Sequence, residues 1–127
     1  MKLLPLFLIG PALGASAAEA RRGQPGRGGE PVPADCPLTI GFASYAMGID
    51  MPSYRAVRQL LSADRAVRAV SEHRWGREGE VTLCARARSR AEAERLFHAV
   101  RRLVPARPRG PVALRTRSGL SFDAPGR

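Results

Sequence analysis

The chain has 127 residues, enough for one domain-sized core and not for two once its N-terminal leader is set aside. Its formal net charge of +10 comes almost wholly from arginine, because Lys2 is the sole lysine among 21 basic residues. Two cysteines and two histidines, with no C-x-x-C and no ligand spacing between His73, His98 and the cysteines, exclude the common zinc and dithiol redox frameworks and leave no cofactor or metal motif to assign.

Residues 1–20 order their chemistry as one positive charge at Lys2, an apolar run from Leu3 to Leu13, and the small-residue stretch Gly14-Ala15-Ser16-Ala17-Ala18-Glu19-Ala20. That order is the pattern of a secretory signal peptide cleaved after Ala17 or Ala20. The apolar run is about half the roughly twenty residues a spanning helix needs, and Pro5 and Pro11 weaken its helicity. Because no cysteine follows it closely, a lipid anchor at a new N-terminus is not expected, and the product should be periplasmic or secreted, with no membrane span after cleavage. Residues 21–35 hold four glycines, three prolines and little to bury, which reads as a disordered Gly/Pro/Arg linker.

Residues 36–120 carry the periodicities of one α+β domain. Leu38, Ile40 and Phe42 alternate with Thr39, Gly41 and Ala43 in a first strand reaching Tyr45. Asp50 is a suitable N-cap, with Pro52 in the first turn of a helix whose stripe is Tyr54, Val57, Leu60 and Leu61 and whose end falls near Ser62 to Asp64. Residues 66–74 follow as a second strand, although Ala-Val-Arg-Ala-Val also suits a prolonged helix. Trp75-Gly76-Arg77-Glu78-Gly79 is a hairpin connection, and Val81, Leu83, Ala85 and Ala87 alternate with Thr82, Cys84, Arg86 and Arg88 in a third strand. Ser89 and Glu92 form a capping box ahead of a second helix whose core stripe is Ala93, Leu96, Phe97, Val100, Leu103 and Val104, stopped by Pro105. A fourth strand spans roughly Val112 to Arg117, and residues 121–127 read as a loose tail.

The order strand, helix, strand, strand, helix, strand is the split βαββαβ of ferredoxin-like folds: a four-stranded antiparallel sheet with two helices on one face and the other face open. Its first and third strands are central and antiparallel, which brings Cys36 near Cys84. An even cysteine count in an exported chain favours a disulfide between them. Strict alternation sets Cys36 on the helix side and Cys84 on the open side, so the pairing requires Pro37 to break the register.

On the open face this reading gathers Thr39, Gly41, Ala43 and Tyr45, then Thr82, Cys84, Arg86 and Arg88, then Arg115 and Arg117. Small residues give access there, and guanidinium forks recognise carboxylate or phosphate. Tyr45, Arg86, Arg88, Arg115 and Arg117 are therefore the candidate ligand-binding residues, against the plainer alternative of a solvated face. The arginine richness has two readings, an anionic partner or GC-rich coding that replaces lysine codons. Trp75 and Arg77 on the hairpin tip are candidate partner-binding residues, since Trp and Arg dominate interface hot spots; Trp75 folded back over the sheet edge is the alternative.

The strand Val81-Thr82-Leu83-Cys84-Ala85-Arg86-Ala87-Arg88 followed by the helix opening Ser89-Arg90-Ala91-Glu92-Ala93-Glu94-Arg95-Leu96 resembles the second half of SPOR domains, which use this fold to bind peptidoglycan strands in the bacterial envelope. The resemblance implies a fold and an address, and no site residue follows from it. Asp50, Glu72, His73, His98, Ser44 and Cys84 form no catalytic motif, so no enzyme is expected. With Tyr45 as the one aromatic on the open face of the central strands, nucleic acid is not an expected partner either. The expectation is a small exported binding module for an anionic or polymeric envelope component, or alternatively an interaction or inhibitor domain acting on another envelope protein.

Overall fold

The computed structural model describes residues 31–126. The leader expected over residues 1–20 and most of the expected linker lie outside the described residues. The described part is α+β, with two helices and a five-stranded antiparallel sheet in the order β2-β3-β1-β4-β5. The strands are β1 (Leu38–Phe42), β2 (Val67–Arg74), β3 (Val81–Ala87), β4 (Val112–Thr116) and β5 (Ser121–Ala124); the helices are α1 (Met51–Ala63) and α2 (Arg90–Leu103). No helix among the described residues is long and apolar enough to cross a membrane.

Alternation decides which face of the sheet is covered. Leu38, Ile40 and Phe42 of β1 pair with Ala85, Leu83 and Val81 of β3 on one side and with Thr116, Leu114 and Val112 of β4 on the other. All but Thr116 are apolar, all nine are buried, and they meet Val57 and Leu61 of α1 and Leu96, Phe97 and Val100 of α2 in one core. Each fully buried Leu, Val or Phe contributes about 1.5–3 kcal/mol, so this layer carries the fold, and no helix covers the other sheet face among the described residues.

Asp50 caps α1: its Oδ1 accepts the N–H of Ser53 at 3.1 Å, and its Oδ2 accepts the N–H of Arg109 at 2.8 Å. One buried carboxylate thus fixes the start of a helix and the long connection into β4. Ser89 caps α2 through the N–H of Glu92 at 3.1 Å, while the Glu92 carboxylate turns to Arg95 at 2.7 Å, so the capping box is made in one direction. Gly110 sits where an added Cβ would collide with the carbonyl oxygen of Ala43, and the Ala43 N–H donates to Pro111 at 2.8 Å. Only glycine permits that backbone approach.

Several expectations need correction. The second strand is not one of them: it is present as expected, as β2, paired along β3 with one irregularity between Val67 and Ala69, and the alternative of a prolonged helix falls away. The loose tail is in fact β5: Ser121–Ala124 folds back on β4 through a turn at Gly119, whose φ of 116° suits glycine, and Ala124 is buried. Four strands become five for that reason. β1 stops at Phe42 and not at Tyr45: the Ala43 N–H still donates to the Pro111 carbonyl in the β4 register, but Pro111 has no N–H to return and the ladder ends there. The linker's last residues are also tied down, since the Cys36 N–H donates to the Pro33 carbonyl at 3.1 Å and Asp35 pairs with Arg86.

Candidate functional site

Cys36 and Cys84 form a disulfide with their Cα atoms 5.9 Å apart, inside the usual range. Cys84 pairs with Thr39 on the open side of the sheet, and Cys36 reaches it because the chain turns at Pro33 to Cys36 before entering β1. The Pro37 carbonyl accepts the Arg117 N–H at 3.0 Å, which holds this entry segment against the end of β4. The bridge is consistent with an oxidising compartment outside the cytosol.

That tether delivers Asp35 to the arginines. Arg86, on the open face of β3, donates to both Asp35 oxygens, at 3.0 Å and 3.5 Å. The hydrogen bond from Arg86, then its charge, and more weakly the charge of Arg117, hold the Asp35 carboxyl below the usual carboxylate range. Asp35, Pro37, Ser89, Arg90, Arg117 and Ser118 line a cleft of about 590 Å³ where β3 and β4 end, β1 begins and α2 starts. Across it Ser118, and after it Arg90, hydrogen-bond Glu94 and lower its pKa. Of the residues expected at a ligand site, Arg117 lines this cleft beside Arg90, which was not among them, and Arg86 is joined to it through Asp35.

The remaining expected residues are dispersed. Arg115 lies on the open face of β4, its guanidinium engaged by Asp123 of β5 at 2.9 Å and by the Leu114 and Phe122 carbonyls at 2.8 and 3.3 Å. Arg88 is exposed just past β3, and its N–H donates to Ala66. Tyr45 stands off the sheet, in the loop between β1 and α1, and is 61% exposed. It joins Met47 and Met51 at the opposite end of β1 from the arginine cleft, near the hairpin.

Trp75 bends back so that its indole N–H donates to Thr82 at 3.1 Å, leaving the ring 43% exposed, while Arg77 is exposed in the turn beyond it. His73 is buried: it pairs with Thr82, its Nε2 lies 2.8 Å from the Ser71 hydroxyl, and its Nδ1 has no hydrogen-bond partner among the described residues. Odd-numbered β2 residues face the open side, so an alternation count alone would have set His73 beside Thr82. Its burial comes from packing that such a count does not contain. Glu72, on the other side of the strand, accepts from the Tyr54 hydroxyl and lies 3.6 Å from Arg74. His98 is exposed on α2 with its ring edge-to-face on Phe97.

No group of three or more His, Cys, Asp or Glu side chains among the described residues is placed to hold a metal ion. No family model matches the chain, and neither a curated protein nor a solved structure shows significant similarity to it. The resemblance to SPOR domains therefore lends this chain no ligand and no site residue.

Proposed function

We propose that this chain is an exported, non-catalytic binding module that takes an anionic or polymeric component of the cell envelope into the arginine cleft at the end of its sheet. The observation that carries the reading is a cleft lined by Arg90 and Arg117 with a single acid, Asp35, in its lining, to which Arg86 is joined from the open face through its pair with Asp35. The Arg86–Asp35 pair is solvent-exposed, with 40% and 62% of the two side chains accessible. Exposed pairs of this kind are worth about 0–1 kcal/mol, so an incoming carboxylate or phosphate displaces Asp35 at small cost and inherits a preformed bidentate fork. Asp35 acts as a placeholder that keeps Arg86 in position until the ligand arrives.

The sheet order β2-β3-β1-β4 supports a ferredoxin-like βαββαβ unit with β5 added at one edge. The two carboxylates weighed as catalytic groups have structural work, which favours binding over chemistry: Asp50 holds a helix cap and the Arg109 N–H, and Glu72 holds Tyr54 and Arg74. The test is co-sedimentation of the protein with purified cell-wall sacculi. Binding should fall steeply as salt rises, because exposed charge contacts are screened within about 10 Å at 0.1 M, and the Arg86→Ala, Arg117→Ala double variant should lose it. Binding indifferent to both salt and these substitutions would refute the reading.

One observation favours a second reading, contact with another envelope protein. Met47 and Met51, exposed at 95% and 39%, line a groove of about 290 Å³ beside the hairpin, and Tyr45 and Trp75, in the adjoining loop and at the hairpin, are exposed at 61% and 43%. Exposed apolar clusters mark contact surfaces. Binding retained at high salt and lost in Trp75→Ala would transfer the function from the cleft to this end, with Arg77 at its rim.

A further inference from the structure

The sheet has two outer strands, and they are unequal. β5 has four residues, whereas β2 has eight. The Trp75 N–H donates to Glu80 at 3.0 Å, and the same register pairs His73 with Thr82, Ser71 with Cys84 and Ala69 with Arg86. Hydrogen-bonded pairs recur at every second residue of an antiparallel ladder, so these odd-numbered residues turn their backbone groups toward β3. Val70, Glu72 and Arg74 turn theirs outward, and among the described residues no other backbone group or side chain bonds to them. A row of free donors and acceptors of this length is a template for another strand.

The surroundings of this edge select what pairs with it. Beside it, between α1 and β2, runs a groove of about 470 Å³ lined by Arg58, Gln59, Leu61, Ser62 and Val70. Arg65 leads into the strand, and Arg68 and Arg74 lie on it; all four arginines are exposed. The acid on the strand, Glu72, is half-buried and already held by Tyr54 and Arg74. A second copy of a chain with net charge +10 would set arginines against arginines along this edge, which works against pairing of like copies.

We infer that the outer edge of β2 accepts an extended acidic polypeptide as a sixth strand, with an apolar residue opposite Val70 and carboxylates against Arg58, Arg68 and Arg74. The backbone row selects a polypeptide over other polyanions, since main-chain hydrogen bonds supply affinity in strand addition while pockets for alternate side chains supply specificity. The groove at Leu61 and Val70 is that pocket. This surface is separate from the arginine cleft, so its failure and that of the wall-binding reading are distinguishable.

The experiment uses a capped peptide of about nine residues, the length of an ordinary strand, built from glutamate and threonine with a central valine. Amide hydrogen exchange is read by NMR on the whole protein with and without it. The expected result is new protection at the amides of Val70, Glu72 and Arg74, absent when the peptide is N-methylated at alternate bonds. The Arg58→Glu, Arg68→Glu variant, which changes exposed side chains alone, should weaken binding at least about tenfold, as juxtaposed like charges do. In Val70→Pro, which removes an outward N–H and no ladder bond, binding should weaken again. The inference is overturned if the peptide leaves these amides unprotected, if it maps to Arg86 and Arg117 instead, or if polyphosphate of equal charge protects the same amides as strongly.

Discussion

Replacing both Cys36 and Cys84 by alanine perturbs the fold and the proposed site together. The bridge spans a sequence separation of 48 residues, and in the chain-entropy picture closing a loop of that length stabilises the folded state by about 4 kcal/mol. Small domains have about 5–15 kcal/mol in total, so the variant should remain folded at room temperature with little margin. Urea denaturation slopes of about 1–3 kcal/mol/M convert the loss into a midpoint lower by about 1.5–4 M, and the melting temperature should drop by about 15–30 °C. Because the bridge holds the segment that carries Asp35, the amides of Cys36 and Arg117, bonded to Pro33 and Pro37, should lose exchange protection before the rest of the sheet does. A stability loss under about 1 kcal/mol, or single-cysteine variants as stable as the oxidised protein, would refute the reasoning.

Asp50→Ala should cost about 2–4 kcal/mol in urea denaturation, because it removes a helix cap and strands the N–H of Arg109; Asp50→Asn, which keeps one acceptor, should cost less. Gly110→Ala should destabilise by about 1–3 kcal/mol, as overpacking against rigid backbone does, with the largest chemical-shift changes at Ala43 and Pro111. Removing residues 121–127 should cost at least about 2 kcal/mol, the scale of burying one phenylalanine, since Phe122 stacks under the Arg101 guanidinium at 4.6 Å and Ala124 is buried; unchanged thermal stability would return this segment to the status of a tail. The Asp64 carboxyl is held below its usual 3.8 by a hydrogen bond from Arg95 and then by the Ala66 N–H. Its folded-state pKa is depressed, so the unfolded chain takes up the proton first, and the contribution is complete above the unfolded value and lost as pH falls through the folded one. Asp64→Asn should therefore flatten part of the acid limb of a stability-against-pH curve and leave the neutral limb parallel to the parent's.

Local periodicity made most of the architecture legible. The β1 and β3 alternations, the Asp50 and Ser89 caps, the two-glycine hairpin and the cysteine pairing all follow from neighbours a few residues apart or from the strand order those neighbours imply. What escaped was set by distant contacts. The Asp50 carboxylate bonds a residue 59 positions later, and β1 ends before Tyr45 because its partner past Val112 is Pro111, which has no N–H to give. β5 alternates Phe122 and Ala124 with Ser121 and Asp123 after a Ser-Gly turn, a pattern present in the sequence but only four residues long and overshadowed by its position near the end of the chain. Arg86 and Arg117 were readable as open-face arginines. That Arg117 shares a cleft with Arg90 was not, since it depends on where α2 begins relative to the ends of β3 and β4.

The most direct test of the account is the titration of the Asp35 carboxyl by carbon-13 NMR, in the free protein and with soluble anionic wall fragments bound. Free, the carboxyl should titrate below the ordinary aspartate range, held there by Arg86. In the complex its pKa should rise toward the ordinary value, because the ligand has taken the Arg86 guanidinium. Tight binding with the Asp35 titration unchanged would contradict the account.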